Sequence, residues 1–352
     1  MKNFLFLLPI IFLWTCKSQP QSTTSPLLQL SENHKVIFLD SLEAGEAITK
    51  DEKENFFSLV NPLDMSIQMK KNFETATPRD EIMDQYKSFL KKDVLDFSKE
   101  EMEYVNDILK EAFKMSNKVS TSIFPKEIKL IKTHANHYGQ GAYYTRENCI
   151  IIPKDELELR NKEGFLETMF HEISHIYTRY HPEKQKALYQ LIGFSNIGNM
   201  SNLLIKEELK SRILLNPDGV NFAYHIELNE KGGRPYSAIP IIKSNETKYL
   251  ESKNNFFNYI DFSLYKISIQ HGVQVQTDAA GNTTIEMDNV PDFFEKITTN
   301  TGYIIHPDEI IADNFMYIMM REKKNGLQRS FSEDGVELLK NIKKILVNES
   351  MN

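Results

Sequence analysis

His171-Glu172-Ile173-Ser174-His175 places three reactive side chains within five residues. Two imidazoles four residues apart on an α-helix are separated by about 400° of rotation, so both project from nearly one face and can share a metal ion. Glu172 leaves the helix beside them, aimed at a bound water rather than at the ion. In such an arrangement Zn²⁺ acidifies the water and the carboxylate takes its proton. The surrounding sequence supplies the helix. Leu166, Met169, Phe170, Ile173, Tyr177 and Tyr180 fall on one face over about 163–180, and Pro182 stops the run. A strand-like stretch, Ala142 to Ile152, precedes it and ends at Pro153.

A catalytic zinc site needs a third protein ligand and a fourth position left for water. The nearer candidate is His181. Thr178 stands between it and His175, and a β-branched residue disfavours the positive φ of a turn that would swing His181 back. The farther candidate is Glu309. Residues 303–315 read Tyr-Ile-Ile-His-Pro-Asp-Glu-Ile-Ile-Ala-Asp-Asn-Phe, with Pro307 suited to the first helical position. Glu309 and Asp313 then share a helix face, where their repulsion favours a nearby cation. Asp308 at the same helix start reads as an acid favoured by the helix dipole. Glu207 or Glu208 is the remaining possibility.

The segment 141–182 resembles the zincin metallopeptidases. The spacing from His171 to His181 is that of metzincins, with Thr178 where that family has glycine. Glu309-x-x-x-Asp313 resembles the gluzincin element in which Glu binds zinc and Asp orients a ligand histidine. The gluzincin resemblance implies Zn²⁺ on His171, His175 and Glu309. It implies Glu172 as the base that activates a zinc-bound water, and Asp313 as acceptor from a ring N–H of His171 or His175. It covers about 141–182 and 303–315. Glu309 follows His175 by 134 residues, so a long insert, about 183–300, must return the chain to the site.

Peptide hydrolysis develops an oxyanion that a hydrogen-bond donor should stabilise. Tyr303 is the first choice, with His306, His225 and Tyr224 behind it. Gly141 to Thr145 could pair with extended substrate by β-augmentation. Cys149, ahead of Ile150-Ile151-Ile152, reads as a small buried apolar residue.

The chain has 352 residues, 42 Lys+Arg against 49 Asp+Glu, a formal charge of −7, 41 % hydrophobic and 26 % charged residues. Collagen-like, coiled-coil-only and wholly disordered chains are excluded, and the lack of a basic stripe argues against a nucleic-acid partner. Two cysteines, Cys16 and Cys149, exclude a disulfide framework.

Residues 1–15 read as a signal peptide: Lys2, then the apolar run Phe4–Trp14, too short for a span of roughly 20 residues. Leu13-Trp14-Thr15-Cys16 resembles a bacterial lipobox, which implies a lipidated Cys16, a flexible tether over 16–27 and an extracytoplasmic, membrane-anchored location. Residues 28–120 read as mostly helical, with capping boxes at Thr49–Glu52 and Ser98–Glu101. Residues 121–352 form the catalytic region. Its insert holds two hairpin-like pieces, Asn221–Leu228 with Ala238–Lys243 and Val273–Gln276 with Thr284–Met287, and two helices at 307–321 and 332–347 close the chain.

The expected whole is an α+β, zincin-like, lipid-anchored zinc metallopeptidase acting on a peptide or protein substrate. The alternatives are a non-catalytic metal-binding or structural lipoprotein and a zinc hydrolase of a non-peptide amide.

Overall fold

Ile150-Ile151-Ile152 has no polar alternation, the pattern of a strand covered on both faces. In the computed structural model it lies at the heart of the molecule, every residue of Cys149–Pro153 being buried. The structure describes residues 25–198, 203–229, 233–269, 272–323 and 329–348. The expected signal segment, Cys16 and most of the tether lie outside the described residues. Among those described, no helix is long and apolar enough to cross a membrane.

The fold is α+β. The chain runs through β1 (Leu27–Ser31), β2 (His34–Phe38), α1 (Ser41–Ile48), α2 (Phe56–Leu59), α3 (Pro62–Met69), α4 (Arg79–Lys92), β3 (Val94–Leu95) and α5 (Lys99–Val119). It continues with β4 (Glu127–Thr133), β5 (Tyr144–Arg146), β6 (Cys149–Pro153), α6 (Lys154–Leu159), α7 (Lys162–Tyr180) and α8 (Pro182–Leu191). Then come β7 (Phe194–Asn196), β8 (Leu203–Leu204), α9 (Glu207–Lys210), β9 (Ile213–Leu214), β10 (Tyr224–Asn229), β11 (Pro235–Lys243), β12 (Asp261–Ser268) and β13 (Val273–Val275). Three helices follow: α10 (Pro291–Ile297), α11 (Pro307–Met320) and α12 (Glu333–Val347).

Six strands form the first sheet in the order β1-β2-β4-β6-β5, with β3 added against β4. β2, β4 and β6 are parallel, and β5 runs antiparallel at the edge. Alternation along these strands covers both faces. Ile128, Leu130, Ile150 and Ile152 pack with α5, α7, α11 and α12. Ile131, Cys149 and Ile151 pack on the other side with α1, α3, α4 and the second sheet. That second sheet, seven strands in the order β7-β10-β11-β12-β13-β8 with β9 on β11, is built by the long insert.

Residues 28–120 are mostly helical and also place β1, β2 and β3 in the sheet that carries β6. Three expectations change. Ser98 forms its capping box with Glu101, whereas Thr49 ends α1 instead of starting a helix. Its Oγ1 donates back to the Gly45 and Glu46 carbonyls. The stretch Ala142–Ile152 splits into a hairpin at Glu147-Asn148, where Glu147 takes a left-handed φ of 54°. Val273–Val275 pairs with β12 and β8 rather than with 284–287.

Asp64 in α3 is fully buried, accepting from Gln68 Nε2 at 2.8 Å and from the Leu215 amide at 2.9 Å. Burial pushes its carboxyl up to about 7, against the pull of those two bonds. A folded value above the ordinary 3.8 means the native state holds this proton more tightly than the unfolded chain. Its contribution to stability therefore declines as pH rises from near 4 to near 7. Melting temperatures of Asp64→Asn should fall less steeply across that window than those of wild type. Equal slopes would remove Asp64 as the cause.

Candidate metal centre

The site lies where α11 crosses α7. Asn161 caps α7, its side chain accepting from the Gly164 amide at 3.2 Å. The helix then runs without a break through Thr178 to Tyr180. At α11, Pro307 occupies the first turn and His306 is the N-cap, its Nδ1 accepting from the Asp308 amide at 3.1 Å. His306 is therefore engaged as a helix cap. A Cβ on Gly219 would stand 2.2 Å from that Nδ1, so only glycine lets the ring sit there.

His171, His175 and Glu309 come together with their ligand atoms within 4.8 Å of one another, a group that could hold a metal ion. Glu309 Oε2 stands 2.9 Å from His171 Nε2 and 3.5 Å from His175 Nε2. The outer nitrogens are each held by a carboxylate. His171 Nδ1 donates to Asp313 Oδ1 at 2.9 Å, and His175 Nδ1 donates to Asp308 Oδ2 at 3.0 Å. Such partners fix the tautomer and turn both Nε2 lone pairs inward. His175 Nε2 is buried without a hydrogen-bond partner, an orphan that a cation would satisfy.

Asp308 has a different role from the dipole-favoured acid expected. It is only 3 % exposed, and besides His175 it accepts from Tyr189 Oη at 2.7 Å and Thr178 Oγ1 at 3.1 Å. Thr178, where a glycine turn would have been needed to recruit His181, thus continues the helix and supports the acid behind His175. Asp313 is held by Thr301 Oγ1. Glu309 Oε1 accepts from Asn216 Nδ2 at 2.6 Å.

The electrostatics favour positive charge at the centre. Burial opposes a charge on His171, but its bonds to Asp313 and Glu309 push it up to about 10. His175 is raised against the same burial, by Asp218, Glu309 and Asp308. Glu309 is held well below the usual carboxylate range by the two imidazoles, despite its burial. Glu172, 3 % exposed, is pushed up to about 8 by burial first and by Asp218 next.

Asp218 forms a second close group with Glu172 and His175. It is anchored by the Thr145 amide at 2.7 Å and Thr145 Oγ1 at 2.5 Å. Asn216 and Asp218 belong to Asn216-Pro217-Asp218-Gly219, whose composition reads only as a turn, so sequence reasoning passed over both.

A cleft of about 530 Å³ opens beside the cluster, and His171, Glu172, Glu309 and Asp313 face it. Tyr303 lines it too, 39 % exposed and stacked on His171 with ring centroids 6.0 Å apart. Partial burial, then the charges of Glu309, Asp218, Glu172 and Asp313, keep its hydroxyl protonated. Gly141, Ala142 and Tyr143, leading into edge strand β5, form another wall.

The other candidates are elsewhere. His181 caps α7 with Nδ1 donating to the Tyr177 carbonyl at 2.8 Å. Glu207 and Glu208 are exposed in α9. His225 lies on β10, and Tyr224 packs against Tyr189 with centroids 4.5 Å apart. Cys149 is buried, its thiol pushed up to about 12 by desolvation.

No protein-family model, curated protein or solved structure matches the chain.

Removing a carboxylate behind a ligand histidine typically costs 10–100-fold in metal affinity. Asp308→Asn and Asp313→Asn should each weaken divalent-metal binding by about that factor, read by competition with a chromophoric chelator. His181→Ala should leave it unchanged. Weakening by His181→Ala alone would place the centre elsewhere.

Proposed function

We propose that this protein is a zinc-dependent metallopeptidase of the zincin type, gluzincin-like in its ligands, and carried outside the cytoplasm on a lipidated Cys16. The observation that carries the reading is the convergence of His171 Nε2, His175 Nε2 and Glu309 Oε2 beside a cleft, with Glu172 at its wall. Two imidazoles and one carboxylate form a donor set that suits zinc, and the orphaned His175 Nε2 fits a cation there. When bound, zinc supplies a Lewis acid that polarises a carbonyl and acidifies water.

The chain's own groups divide the remaining work. Asp313 and Asp308 keep the Nδ1 protons on His171 and His175, so that each Nε2 lone pair faces inward. Glu172 Oε2 is buried without a hydrogen-bond partner, free to take a proton from the attacking water and pass it to the leaving amine. Tyr303 offers a phenolic O–H to the developing oxyanion. The backbone of Gly141–Tyr143 offers an edge along which extended substrate can lie.

A purely structural zinc site has no use for Glu172, and that difference gives the test. Purified wild type should contain about one zinc per chain and cleave members of a mixed peptide library. Glu172→Ala should keep the metal and lose about 10²–10⁴-fold in kcat, while Glu309→Ala should lose metal and cleavage together. Metal bound with no cleavage in wild type would refute the peptidase reading. For the anchor, Cys16→Ala protein should leave the membrane fraction, and its retention there would refute the lipid assignment.

A further inference from the structure

We propose that the cleft selects its substrate by positive charge, Glu156 on one wall and Glu167 on another receiving an ammonium or guanidinium group carried close to the scissile bond. This names the substrate class of the peptidase reading and rests on it, but its test reads binding rather than cleavage. Six carboxylates line the cleft and, among the described residues, no Lys or Arg does. A dication on the His171–His175–Glu309 cluster offsets only part of that charge, and Glu156 and Glu167 stand outside the cluster.

Glu156, in α6, lies beside the wall segment Gly141–Tyr143. A Cβ on Gly141 would sit 3.6 Å from Glu156 Oε1, and Tyr143 Oη donates to Glu156 Oε2 at 3.4 Å. Glu167 is one turn ahead of His171 on α7, on the same helix face. Substrate extended along Gly141–Tyr143 would therefore run between these two acids on its way to Glu172.

Lys323 is drawn to Glu163 at 3.7 Å and Glu111 at 3.9 Å and is not part of the cleft lining. Partial burial, then neighbouring Asp155 and Glu163 respectively, push the Glu156 and Glu167 carboxyls up, against the Tyr143 hydrogen bond at the first and the charge of Lys323 at the second. Glu172, 97 % buried, lines the same cleft, and its Oε2 has no hydrogen-bond partner, which marks the cleft as a place where a ligand is met.

The test uses the full chain, zinc-loaded, with Glu172→Gln to stop turnover. Fluorescence anisotropy compares N-acetylated peptides that differ only in carrying Lys, Gln or Glu at two positions, plus the Gln peptide with a free N-terminus. Two partly exposed ion pairs correspond to roughly 10-fold, so the Lys peptide should bind about 10-fold tighter than Gln, and the Glu peptide weakest. Adding Glu156→Gln and Glu167→Gln should bring the Lys-to-Gln ratio close to 1, whereas Glu74→Gln with Glu81→Gln, exposed acids away from the cleft, should leave it unchanged. Tighter binding of the free-terminus peptide alone assigns the cation to the substrate's α-amine, and of the Lys peptide alone to a side chain. Equal affinity for all four peptides, no binding of any, or a ratio untouched by the two cleft substitutions would overturn the proposal. Loss of the peptidase reading would show instead as absent cleavage by wild type, with the binding ratio intact.

Discussion

The structure depends on buried negative charge at the crossing of α7 and α11. Glu309 and Asp308 are 1 % and 3 % exposed, and Asp218 and Asp313 stand near them. Ionised carboxylates cannot remain in an interior without hydrogen bonds and positive charge. Here the hydrogen bonds come largely from one helix face, His171 and His175 donating to Asp313 and Asp308 with Thr178 below them, while Tyr189 and Asn216 complete the shell. Once the chain gathers acids in this way, a cation between the two Nε2 atoms and Glu309 is the species that balances them best.

The same charges tie distant parts of the chain together. Arg179, near the end of α7, donates to Glu54 Oε2 at 2.7 Å, to the Glu147 carbonyl at 2.9 Å and to Thr145 Oγ1 at 2.9 Å. Thr145 in turn holds Asp218 from the insert. Helix α7, the β5–β6 hairpin and the turn at 216–219 therefore share one hydrogen-bonded network beneath the cleft. The N-terminal residues are part of the same body, because β2 pairs with β4 and Glu54 meets Arg179. A long insert can return to the site because the second sheet is itself packed against the first.

The centre of the site was legible because its information is local. His171 and His175 share a helix turn, and so do Glu309 and Asp313. Pro307 and Pro182 mark helix boundaries that the structure keeps. The partners were not legible. Asp308 looks like any acid in a first turn, and only the approach of α7 reveals that it faces His175. Asn216 and Asp218 sit in a turn-like tetrapeptide whose local chemistry says nothing of α7 or of Glu309, which lies 93 residues beyond Asn216. Short strands failed for another reason. β1 and β2 are five residues each, too brief for periodicity to separate them from helix. The two-residue turn at Glu147-Asn148 lacks the glycine that usually announces a hairpin.

The most direct test of the central claim is anomalous scattering at the zinc edge from crystals of the full chain. A single peak within about 2.0–2.2 Å of His171 Nε2, His175 Nε2 and a Glu309 carboxylate oxygen is the expected result. A peak on other residues, or none with Glu309 turned away from both rings, would contradict it.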